Sequence, residues 1–183
     1  MKSSNKQKIE SYAKDHYESL DQTHGIEHLE RTLKLAEYIA EKEGADKEIV
    51  RFGAMLHQIH DAEDVQEFLE KLEVDRKDTE KIVRCVYCSD IENIEDAESV
   101  EAKVVYDADK LQVVGPFGLV REIACDTGER GKRFREAVQH TREIEQRCFE
   151  TIQTETGKEI AETHHRMLEE FWQKFDEMDN ADF

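Results

Sequence analysis

The chain has 183 residues, 38% of them hydrophobic and 38% charged, and a formal net charge of −18. That length suffices for one domain with a real core, since chains of this size bury roughly 70% of their extended surface. The charge repels nucleic-acid phosphates and anionic membrane surfaces at long range, which argues against a DNA or RNA backbone or a membrane as partner.

Residues 5–20 read as a first, polar helix. Asp21 to Gly25 form a turn rich in capping residues. From Ile26, apolar residues recur at Leu29, Leu33, Ala36 and Ala40, the spacing of one buried helical stripe, and Gly44 closes it. Asp46 is placed to cap a helix through Ile49, Phe52, Gly53 and Leu56 to about His60. Two further helices are predicted over 63–72 and 75–89, followed by an acidic loop from Asp90 to Ser99. Val100–Val114 is apolar on more than one face and reads as a buried central helix, broken at Gly115-Pro116. Helices near 117–127, 132–154 and 158–178 complete the chain. With a single Pro and 8 Gly, no linker, no repeat and no strand pattern, the fold class is all-α in one domain. No apolar run of about 18 residues and no apolar signal core follow Met1, so a cytoplasmic protein is expected. Four cysteines are too few for a disulfide scaffold in a chain this long.

Three separate helices each carry potential metal ligands among apolar neighbours: His24 and His28; His57, His60 and Asp61; Asp107 and Asp109. Imidazole nitrogen and carboxylate oxygen together suit divalent cations. Residues four apart share a helix face, so His24 and His28 point the same way. Asp107 and Asp109 differ by roughly 200° around their helix, so they do not serve one site together, and periodicity does not choose between them.

The order of these segments resembles the HD superfamily of metal-dependent phosphohydrolases, and more closely its small predicted hydrolases. The likeness is carried by Thr23-His-Gly-Ile-Glu-His-Leu-Glu-Arg31, Gly53-Ala-Met-Leu-His57, Tyr106-Asp-Ala-Asp-Lys-Leu111, and Gly115-Pro-Phe-Gly-Leu-Val-Arg121. A fifth stretch, from Thr154 through His165 to Phe171, resembles the C-terminal helix of that subgroup. Each motif is short, and their order and spacing make the match. The resemblance implies a bundle of about seven to nine helices, with a core over about 22–128 and C-terminal helices over 132–178 packed on it. It implies a divalent metal ion (Mn, Mg, Fe, Ni, Co or Zn) held by His28, His57 and Asp109, with Asp107 as the fallback. The implied substrate is a phosphate ester or nucleotide-like small molecule. A homodimer is compatible with the sequence.

The sequence also departs from that pattern. Gln58 stands where the family's name-giving doublet has Asp, Cys88 where relatives often have His, and Gln112 where they often have Asp. Either the fold is retained for binding without turnover, or Asp61, one helical turn beyond His57, rescues the site with His60 beside it. Asp61, His24 and Lys110 are the candidate catalytic side chains. Each has a plainer reading: a solvated helix end for Asp61, a helix-start cap for His24, a solvated charge for Lys110 and likewise for Arg31. Asp107 reads as a structural partner. Cys85 and Cys88 read as small core residues, with Cys88 a candidate for the pocket wall. Gly128–Arg135 reads as a mobile loop near the pocket mouth, His164 and His165 as helix surface, and Asp176–Phe183 as a fraying end.

Overall fold

The computed structural model describes residues 1–59 and 61–180, and these form helices without a strand. In chain order they are α1 (Ser3–Glu18), α2 (Ile26–Glu43), α3 (Lys47–Leu56), α4 (Ala62–Lys71), α5 (Arg76–Tyr87), α6 (Val100–Lys110), α7 (Pro116–Gly128), α8 (Phe134–Thr151) and α9 (Glu155–Asp179). The predicted acidic loop contains one 3-10 turn, Ile94–Asp96.

Helix starts follow the expected chemistry. The carboxylate of Asp46 accepts the Glu48 and Ile49 N–H groups, Asp61 accepts from Glu63, and Asp75 from Lys77. These satisfy backbone donors that have no partner inside the helix. Pro116 occupies the first turn of α7, where a missing N–H costs nothing.

α2, α3, α5 and α6 pack together around the central core, which includes Ile39, Phe52, Leu56, Ile82, Val104 and Val105. α6 is buried on several faces, as its sequence predicts. α3 and α5 approach closely at Gly53, where an added Cβ would lie 2.6 Å from the Cys85 Cβ. Gly115 has φ of +92°, and an added Cβ there would meet the Cβ of His164 at 2.6 Å, so the α6–α7 turn needs glycine for both conformation and packing. α1 lies against α2 and α3, its buried stripe being Ile9, Ala13 and Tyr17.

Four expectations are corrected. α3 stops at Leu56 rather than running to His60, and His57 caps it; His60 itself lies outside the described residues. The 128–135 segment is tied down, because Arg130 and Lys132 both reach the buried Asp126 carboxylate. His165 is half-buried: its ring stacks on Phe149 and its Nδ1 meets buried Glu145 at 3.0 Å, whereas His164 is exposed as expected. The C-terminal helix continues in order to Asp179, held by Arg142–Asp176 and Arg135–Asp179 pairs, and only 181–183 of that stretch lie outside the described residues.

Candidate metal centre

His28 sits in the first turn of α2, His57 on the cap of α3, and Asp109 near the end of α6. Their ligand atoms converge. His28 Nε2 lies 3.2 Å from His57 Nε2 and 3.4 Å from Asp109 Oδ1, and the third edge, His57 Nε2 to Asp109 Oδ1, is 3.5 Å. All three side chains are buried.

The far sides of both imidazoles are already occupied. His57 Nδ1–H donates to the Ala54 carbonyl at 2.7 Å, and the Tyr17 hydroxyl lies 3.1 Å from the same nitrogen. His28 Nδ1–H donates to Gln112 Oε1 at 3.2 Å. Gln112 is itself oriented, because its amide nitrogen donates to Thr32 Oγ1 at 2.6 Å. With Nδ1 protonated on each ring, both Nε2 atoms carry lone pairs and face a carboxylate oxygen.

Three lone-pair atoms gathered this closely, without a proton among them, repel one another. A cation at their centre removes that repulsion. At metal–ligand distances of about 2.1 Å, atoms of one coordination shell lie about 3.0 to 3.4 Å apart, so the observed triangle fits a divalent cation. The hydrogen bonds behind the rings are the kind that fix the tautomer of metal-binding histidines.

Electrostatics point the same way. Burial pushes the His28 pKa down to about 3 against the pull of Asp109, so its ring stays neutral and able to ligate. Burial alone would raise the Asp109 pKa, but the Lys110 ammonium beside it holds it well below the usual carboxylate range. Burial likewise opposes the Lys110 ammonium, and the adjoining Asp109 carboxylate, 2.7 Å away, outweighs it and raises its pKa.

The triangle opens into a cleft of about 510 Å³ whose walls include His57, Gln58, Asp61, Ser89, Asp109 and Lys110. The Gln58 amide nitrogen lies 3.3 Å from His28 Nε2 and 3.4 Å from His57 Nε2, covering the triangle. Asp61 faces the same cleft while capping α4, but is not part of the converging set. His24 is not among the cleft-lining residues. Its ring centroid is 6.3 Å from that of His28, and its Nδ1 donates to Asp21 at 2.7 Å. Arg31 does not line this cleft either, and Arg121 is spent on the Thr23 carbonyl and Glu122.

Asp107 points away from the triangle. It accepts from the Gln153 N–H, the Thr154 N–H and the Thr154 hydroxyl, at 2.8, 2.7 and 2.6 Å. Cys85 and Cys88 are buried in the core and neither lines the cleft. Sequence reasoning missed Tyr17 and Thr32. Tyr17 is the aromatic end of the α1 stripe and Thr32 lies one turn beyond His28, but neither spacing marks a metal centre.

The sequence profile of the HD domain matches residues 25–113, the stretch that contains all three converging residues. Residues 25–113 form an HD domain. Solved structures share this fold along nearly the whole chain. Bacillus subtilis YpgQ is 26% identical with a TM-score of 0.74, covering 94% of this chain and 96% of its own, and has also been solved in complex with ADP. A Lactobacillus plantarum protein aligns at 23% identity and a TM-score of 0.82, covering 99% of both chains. An HD-superfamily hydrolase from Bacillus thuringiensis aligns at 25% and 0.73, covering 96% of both. No curated protein matches the chain. No helix among the described residues of this HD-domain protein is long and apolar enough to cross a membrane.

Proposed function

We propose that this HD-domain protein is a metal-dependent phosphohydrolase acting on a phosphate ester or nucleotide-like small molecule. The observation that carries the proposal is the convergence of His28 Nε2, His57 Nε2 and Asp109 Oδ1 beside a cleft, where only the Gln58 amide covers the two nitrogens. The ADP complex of YpgQ supports the nucleotide-like class.

In this reading His28, His57 and Asp109 hold one divalent cation, which supplies a water of lowered pKa and a Lewis acid for a phosphoryl oxygen. Two imidazoles and one carboxylate suit a borderline transition metal better than calcium. Lys110 keeps Asp109 ionised and presents its ammonium to a substrate phosphate at the cleft wall. Asp61, exposed on the same wall, is placed to accept a proton from water. His24, the remaining sequence candidate, is anchored by Asp21 outside this cleft and takes no part in this reading. The test is phosphate or pyrophosphate release from a nucleotide panel by protein loaded with each metal in turn. Turnover that His57→Ala abolishes is the expected result; metal-loaded protein without turnover on any phosphorylated compound would sink the idea.

A second reading rests on Gln58. A neutral amide supplies no anionic oxygen to ligate or bridge metal ions, so this chain would bind metal or nucleotide without hydrolysing it. It predicts a thermal shift with nucleotides without product, and hydrolysis uncovered by Gln58→Asp. Fast turnover by the native protein excludes it.

A further inference from the structure

A second cavity, of about 510 Å³, opens between α2, the α6–α7 turn and α9, and it shares no lining residue with the metal cleft. Its walls are apolar, built from Leu35, Leu111, Val114, Phe117, Ile160 and Met167. The polar side chains are Arg31, Lys34, His164 and Gln112, with no carboxylate among the described lining residues. In a chain with 44 acidic and 26 basic residues, an apolar cavity edged only by nitrogen-bearing groups runs against the composition.

Those cations are also under-used. The Arg31 guanidinium lies 4.1 Å above the Phe117 ring, its Nε is shielded from solvent without a hydrogen-bond partner, and its nearest carboxylate contact, Glu27, is at 3.9 Å. Lys34 is exposed and has no ion-pair partner among the described residues. A volume of this size, apolar with a few convergent polar groups, is that of a small-molecule site. The combination selects the ligand's chemistry: an apolar body to displace water from the walls, and one anionic group to meet Arg31 and Lys34.

We propose that this cavity binds a small amphipathic anion, its apolar tail against Leu35, Leu111, Ile160 and Met167 and its carboxylate or phosphate head between Arg31 and Lys34. The site stands whether or not the metal centre turns over. It adjoins that centre through Gln112, which lines this cavity and also accepts the hydrogen bond from His28.

The test is calorimetric titration of the full chain with monomeric dodecanoate, with dodecyltrimethylammonium of the same tail, and with acetate. Dodecanoate is expected to bind with one-to-one stoichiometry, the cationic detergent at least tenfold more weakly, and acetate without measurable heat. Lys34→Glu, a surface change that leaves the fold intact by circular dichroism, is expected to weaken dodecanoate at least tenfold, and Lys14→Glu to leave it unaltered. The proposal is overturned if dodecanoate does not saturate, if both detergents bind equally, or if Lys34→Glu has no effect. It is overturned equally if only anionic vesicles bind, or if sedimentation shows a second copy of the chain covering this face in place of the ligand.

Discussion

Asp107 and Asp109 lie two residues apart on α6, are both buried, and have opposite fates. Asp107 is surrounded by donors, all from the segment that starts α9. Asp109 has one protein donor, Lys110, on one oxygen, and its other oxygen faces two lone pairs. A buried carboxylate whose partners are all protein groups holds the fold together, while one with an unmet oxygen among other acceptors is a candidate metal ligand. Burial alone does not separate the two; the kind of atom each oxygen faces does.

The largest effect should come from Asp107→Ala. It strands two buried donors on Thr154 and a half-buried one on Gln153, the buried ones at about 1–3 kcal/mol apiece when nothing replaces the acceptor, so a destabilisation of about 3 kcal/mol or more is expected in urea unfolding. Asp109→Asn should do the reverse: metal affinity by calorimetry falls more than about 100-fold, beyond what outer-shell changes cause. The folded protein should keep its stability, because the amide oxygen still accepts from Lys110. If both substitutions moved stability and metal affinity alike, the contrast between the aspartates would be lost. Gln112→Ala removes the acceptor behind His28 and should cost about 10–100-fold in metal affinity. Tyr17→Phe removes only a hydroxyl near His57, whose Nδ1–H keeps the Ala54 carbonyl, so a loss at the low end of that scale, about tenfold or less, is expected.

The smallest effect is in the pH dependence of the metal-free protein. His28 has its folded-state pKa lowered to about 3, so the stability it contributes is complete above its ordinary value of 6.5 and is lost as pH falls. Asp107 is raised by burial to about 6 despite its donors, so its contribution is complete below 3.8 and is lost as pH rises through 6. The two oppose each other between about pH 4 and 6. Replacing Asp107 by Asn should therefore steepen the loss of stability on acidification across that window, as followed by thermal unfolding; an unchanged slope would contradict the assignment for Asp107.

Much of this was readable in the chain. The apolar stripe from Ile26 to Ala40, the cap at Asp46 and the break at Gly115-Pro116 each follow local rules, and the helices stand where those rules put them. His28, His57 and the Asp107–Asp109 pair were legible as polar residues set among apolar neighbours on their helices, but only the resemblance to the HD superfamily preferred Asp109 over Asp107. The support behind them was not. Tyr17 reaches His57 across 40 residues and Gln112 reaches His28 across 84, and such distances leave no periodic trace. His165 escaped for the same reason: what buries it is Glu145 and Phe149 on another helix, not its own neighbours. Asp176–Asp179 reads as a frayed end because the arginines that hold it lie on α8.

The Asp107 contacts also bear on how far this protein can be cut down. The family profile ends at residue 113, yet the donors that satisfy Asp107 lie at Gln153 and Thr154, and the hydroxyl beside His57 comes from Tyr17. A fragment trimmed to 25–113 would keep every converging side chain and lose groups at both ends that keep α6 and α3 in place. Its buried carboxylate would face a missing helix, at a position two residues from Asp109. The three-residue centre is thus a property of the chain from its first helix to its last, and a minimal domain chosen by profile boundaries would be expected to carry the residues without their arrangement.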